Sequence, residues 1–148
     1  MGVDVGINTI KIKKVVRPLD LADYEPEYAG TVIQVWVNPP VRITREVGGL
    51  LAEWQKAVVE RALLEKPAEN AEKPVKKRTE SVSEADEAMT EAKRAYYDWL
   101  AGVWEDTSAD EMWALVEKLE AQEPGMLTFL RDRTLQMIAD YASARKKA

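Results

Sequence analysis

The chain has 148 residues, 46% of them hydrophobic and 32% charged, which is one domain's worth of sequence with enough apolar material for a buried core. Its formal net charge of −5 argues against a general binder of phosphate backbones, which carries a basic footprint. Cysteine and histidine are both absent, and this excludes disulfides, thiolate metal sites, cysteine nucleophiles, Ser-His-Asp triads and imidazole bases together.

The N-terminal MGVDVGINTIKIKK has no apolar core followed by a small-residue cleavage site, so no signal peptide is expected. Met1-Gly2 opens a myristoylation pattern, but Gly6 and Ile7 stand where Ser or Thr is needed. No apolar run approaches the ~20 residues that span a bilayer, so no membrane partner and a cytoplasmic location are expected. Ile10 to Val16, IKIKKVV, alternates with Lys11, Lys13 and Lys14 and predicts a short first strand. Arg17-Pro18 closes it, because proline cannot donate to a continuing ladder. LDLADYEPEYAG then reads as an acidic loop, with Gly30 supplying a special backbone conformation before the next strand. Thr31 to Val37, TVIQVWV, predicts the second strand. Ile33, Val35 and Val37 share one face, and Val32, Gln34 and Trp36 the other, so both faces are substantially apolar. Asn38-Pro39-Pro40 ends it abruptly. The two strands are expected to pair as an antiparallel hairpin with a long loop. Such a pair is marginal alone in water, which gives reason to expect a covering helix, a third strand or a homo-oligomer formed through strand edges or helices.

Val47, Leu50, Leu51, Trp54, Val58 and Leu63 recur at helical spacing and predict a helix from about Thr44 to Glu65. Gly48-Gly49 weakens its start, so either the helix begins near Leu50 or the glycines allow close contact with the sheet. Pro67 to Arg78, with two prolines and the cations Lys73, Lys76, Lys77 and Arg78, reads as a solvated connector. Ser81 and Ser83 are candidate N-caps of a second helix, with Glu84 completing a capping box after Ser81. That helix runs to about Val103 or Trp104 and buries Ala85, Met89, Ala92, Tyr96, Trp99, Leu100 and Val103, with Tyr97 off the stripe. Ser108 and Glu111 form another capping box, opening a helix to about Gln122 that buries Met112, Leu115, Val116 and Leu119. Pro124 suits the first turn of the last helix. That helix turns Leu127, Leu130, Met137, Ile138 and Tyr141 inward and ends in Arg145, Lys146 and Lys147. The expected fold class is therefore α+β, mostly α: a small N-terminal antiparallel hairpin followed by about four helices. A strand-strand-helix module covers 1–66, a charged proline-containing linker 67–80, and a helical region 81–148, together one compact domain.

No catalytic, metal-binding or cofactor-binding residue and no cofactor is expected. Asp20, Asp23, Glu25 and Glu27 cluster before the second strand, but their spacing is not that of an EF-hand and no glycine makes its turn. Gly48-Gly49 lacks both the spacing and the Lys-Ser/Thr of a phosphate-binding loop. The aromatics hold more promise: with five Trp, five Tyr and one Phe, nearly every large ring has a polar handle suited to interfaces. Trp54 and Trp99 lie on buried stripes and read as core, whereas Trp36, Tyr97, Trp104 and Trp113 are the candidates for touching a partner.

Taken in order, these features resemble the small tail assembly chaperones of long-tailed bacteriophages and prophages. The resemblance spans the chain, and it is carried most by EYAGTVIQVWVNPP and by the helical run from YYDWLAGVWEDTSADEMW to LQMIADY. It implies a non-enzymatic protein of the bacterial host cytoplasm that binds the hydrophobic tape-measure protein, helps recruit tail-tube subunits and leaves the finished particle. It carries no catalytic motif to place on this chain. A structural virion component, such as a tail or connector protein retained in the particle, is the alternative. A hydrolase working with carboxylates alone stands further off, and a nucleic-acid binder using Lys73 to Arg78 is the weakest reading.

Overall fold

The two strands do pair as an antiparallel hairpin, but the first lies further along the chain than its lysine alternation predicts. The computed structural model describes residues 10–64 and 75–147. Strand β1 is Val16–Asp20 and β2 is Val32–Trp36, with Val16 opposite Trp36 and Asp20 opposite Val32. Residues Ile10 to Lys14 stay outside the ladder, and Ile10 and Ile12 are exposed. The reason lies at Asn38. Prolines 39 and 40 end β2, so no backbone continues opposite residues 10–14. The Asn38 side chain substitutes for it, accepting from the Val15 N–H at 2.7 Å and donating to the Lys13 carbonyl at 2.7 Å.

Pro18, expected to stop the strand, sits inside it. Val37 N–H donates to the Val15 carbonyl and Leu21 N–H to the Thr31 carbonyl, which sets the odd-numbered residues of β1 as those bonded to β2. Pro18 therefore faces the open edge, where no donor is required. The odd-numbered residues Leu19, Leu21, Val35 and Val37 are buried. The other sheet face is more open than expected: Val32 and Gln34 are exposed and Trp36 is half-buried. Between the strands, Asp20 caps a short 3-10 turn at Leu21–Asp23 by accepting from Ala22 N–H. A second turn covers Pro26–Tyr28, and Gly30 takes φ 93° on the way into β2.

Helix α1, Val41–Leu63, begins directly after Pro40, earlier than expected and without a side-chain cap. Gly48 and Gly49 lie inside it and are exposed, and a Cβ on either would meet nothing within 4 Å. Neither of the two expectations for this pair holds. Helix α2 is Val75–Val103, so Ser81 and Ser83 are internal residues rather than caps, and Val75 to Arg78 of the expected connector are helical. Positions 67–74 of that connector, including Lys73, lie outside the described residues. Helix α3, Ala109–Gln122, has the expected capping box in full, with Ser108 Oγ accepting from Glu111 N–H and Glu111 accepting from Ser108 N–H. Helix α4 is Pro124–Lys147.

α1 packs on α2, α2 on α3 and α3 on α4, while α1 and α4 make little backbone contact. The core joins the inner sheet face to α2, α3 and α4 through Leu19, Val35, Tyr96, Leu100, Val116 and Leu130. The end of α2 also completes the sheet. Trp104 bridges Val35 in antiparallel fashion, and Glu105 N–H donates to the Gln34 carbonyl at 2.9 Å, covering the outer edge of β2. The architecture is α+β and mostly α.

Candidate interaction surface

The four aromatic candidates divide into two that are internal and two that reach the surface. Tyr97 is 1% exposed. Its ring meets Tyr96 at 5.4 Å and Trp54 at 5.7 Å between centroids, and its hydroxyl accepts from Arg131 Nη1 at 3.4 Å. A position off the predicted stripe is buried because α1 and Arg131 of α4 both close over this turn of α2. Trp104 is 5% exposed, and its indole N–H donates to Thr134 Oγ1 at 3.0 Å. Both are core residues. Trp99, expected in the core, is there, and its indole N–H donates to the Ile43 carbonyl at 2.8 Å, tying α2 to the first turn of α1.

Trp36 lies half-buried on the outer sheet face with Lys14 Nζ 4.9 Å from its ring centre. Its indole N–H has no hydrogen-bond partner among the described residues. Trp113 on α3 is also half-buried, under the Arg94 guanidinium at 5.0 Å and Lys93 Nζ at 5.6 Å. Among the described residues Trp36 stacks with Lys14 beside the sheet and Trp113 with Lys93 and Arg94 of α2, so the two rings have separate settings.

The larger apolar surface gathers around Trp54. Its ring packs 5.5 Å from that of Tyr96, and the Arg131 guanidinium lies 5.7 Å from it. One hollow of about 510 Å³ is bounded by Leu51, Trp54, Gln55, Val58, Val59 and Arg131. A second, of about 280 Å³, is bounded by Thr44, Val47, Trp99, Leu135, Ile138, Ala139 and Ala142. Val47 and Leu51 are one turn apart on α1, and Arg131 and Leu135 one turn apart on α4. The two hollows therefore follow each other along one groove between antiparallel α1 and α4, with α2 at its base. A third hollow of about 300 Å³ lies across Trp54 and Val58 from the first and reaches Met89, Lys93 and Trp113. Sequence periodicity placed Trp54 and Val58 on the buried stripe of α1, and half of that is right. Trp54 packs inward on one side and lines open space on the other, a division no single-helix pattern expresses.

Burial governs the ionisation of the tyrosines beneath the groove. Tyr96 is pushed up to about 12, with the Arg131 charge working in the opposite direction, and Tyr97 is raised for the same reason. The acidic loop is engaged with α4. Tyr24 OH donates to Glu123 Oε2 at 3.0 Å, and Arg133 Nη1 lies 2.9 Å from Asp23 Oδ2. A Cβ at position 125 would stand 3.0 Å from the Tyr24 hydroxyl, so Gly125 gives that ring its seat. A hydrogen bond to Glu27 raises the Glu25 carboxyl above its ordinary range. Among the described residues no set of three or more carboxylates is arranged to hold a metal, and no helix is long and apolar enough to cross a membrane. Comparison with known protein families, curated proteins and solved structures finds no match to this chain.

Proposed function

We propose that the protein is a non-enzymatic tail assembly chaperone of a long-tailed bacteriophage or prophage that binds the tape-measure protein during tail morphogenesis. One observation carries this reading: the succession of acidic loop, β2 with its Asn38-Pro39-Pro40 stop, and helical C-terminal region resembles that family in order and in residues. The surface supports it physically. A tape-measure protein must be kept from aggregating through its apolar helices, and α1 leaves Val41, Val58, Val59 and Leu63 exposed, with Val58 and Val59 lining an apolar hollow. The net charge of −5 would help keep a complex with such a partner dispersed.

Co-expression with the tape-measure protein of the same gene cluster tests the reading. The expected result is more soluble tape-measure protein and co-purification of the two chains; unchanged solubility with no co-purification would count against it. Mass spectrometry of purified particles then separates a chaperone, which is missing from them, from a retained tail or connector component, which is present in fixed proportion.

A further inference from the structure

The groove between α1 and α4 is lined by uncharged side chains with one exception, Arg131. On the α1 wall Leu51, Gln55, Val58 and Val59 follow at helical spacing, and Val58 and Val59 are 42% and 58% exposed. The charged residues of this part of α1, Glu53, Lys56 and Glu60, fall on the opposite side of the helix. Arg131 stands in the middle of this apolar setting. Its guanidinium lies 5.7 Å from the Trp54 ring centre and 6.0 Å from that of Tyr96, and Nη1 donates to the Tyr97 hydroxyl. Lys14, Arg61, Lys93 and Arg133 each have a carboxylate partner. Among the described residues Arg131 has none. A guanidinium held by its face and one N–H keeps its remaining donors for a planar acceptor, and a carboxylate fits them in bidentate fashion.

We propose that this groove receives an amphipathic helix of the partner whose apolar stripe carries one carboxylate, and that Arg131 pairs with that carboxylate. The inference rests on the reading that the partner is the tape-measure protein, and it adds the place of docking and the chemistry of the docked segment. The α1 wall from Thr44 to Val59 is about 22 Å long, which matches about four turns of a bound helix. Side chains at i, i+3, i+4 and i+7 of that helix would enter the two hollows, and the carboxylate would stand at the turn facing Arg131.

The test is binding of labelled tape-measure fragments to the full chain by fluorescence anisotropy. Val59→Asp and Arg131→Glu are each expected to weaken binding by about tenfold or more, and Glu53→Lys on the far side to leave it unchanged. Changing the stripe carboxylate of the fragment to Lys is expected to restore binding to Arg131→Glu while weakening binding to the unmodified chain. Circular dichroism establishes that each variant is folded, and Arg131→Gln, which removes the charge alone, replaces Arg131→Glu if the latter is not. If the unmodified chain binds fragments and both groove variants bind equally well, the reading of a tape-measure chaperone stands and the groove is overturned as its site. If no fragment binds and the chains do not co-purify, the reading itself fails and the inference with it. A concentration-dependent dimer abolished by Val59→Asp in sedimentation would also overturn the proposal, by making a second copy of the chain the occupant.

Discussion

Thr134 is the single polar side chain that is fully buried among the described residues, and its hydroxyl is used twice. It accepts from the Trp104 indole at 3.0 Å and donates to the Leu130 carbonyl at 2.7 Å. Replacing it with valine keeps the volume but leaves the indole N–H without a partner, so Thr134→Val is expected to cost about 1–3 kcal/mol in urea unfolding, and Thr134→Ser much less. The same pair shows why Trp104 was misjudged from sequence. Its polar end is satisfied thirty positions later on another helix, and no local spacing signals that. Tyr96 makes a second prediction at this scale. Its burial raises the phenol from the ordinary value of 10 to about 12, so the neutral ring contributes stability that is complete below pH 10 and lost as pH rises toward 12. Phenolate absorbance should lag for Tyr96 and Tyr97 and appear together with loss of helical dichroism; Tyr96→Phe should push the alkaline transition higher.

At the scale of single elements, α3 was the most legible and β1 the least. The ends of α3 are local chemistry: Ser108 and Glu111 satisfy each other's backbone donors within four residues, and the adjoining Pro124 suits a first helical turn. β1 depends on partners 12 to 25 residues away, including the Asn38 amide that takes up residues 13 and 15. Pro18 was read as a stop because which of its two sides faces β2 is set by register, which the segment itself does not encode. Helix α1 began earlier than expected for a related reason. Its first turn is fixed by Pro40 and by the Trp99 indole on the Ile43 carbonyl rather than by a cap of its own. Its glycines remain a weak point of the free protein. Gly48→Ala and Gly49→Ala meet no neighbour, so each is expected to stabilise the chain by about 1 kcal/mol, read as a rise in Tm.

For the molecule as a whole, the hairpin is covered from within the chain: α2, α3 and α4 pack on its inner face and Glu105 bonds to the free side of β2. The remaining edge, along β1, is blunted at its centre by Pro18, and Arg17 Nη1 donates to the Val16 carbonyl beside it. Pro18→Val restores a backbone donor there and is expected to increase self-association in sedimentation; an unchanged monomer fraction would show that the proline does not guard this edge. The overall class was readable because four amphipathic or capped segments follow two β-rich ones. The groove was not, because it lies where α1 and α4 make little backbone contact, and a gap between two helices distant in sequence leaves no mark on either pattern. The bridge from Trp104 and Glu105 to β2 also has a consequence in time. The chain is made from its N-terminus at ~5–20 residues per second, so Gln34 waits several seconds for the segment that closes its strand. Nascent chains arrested before Glu105 should therefore be held by holdase chaperones, and those extended through α4 released.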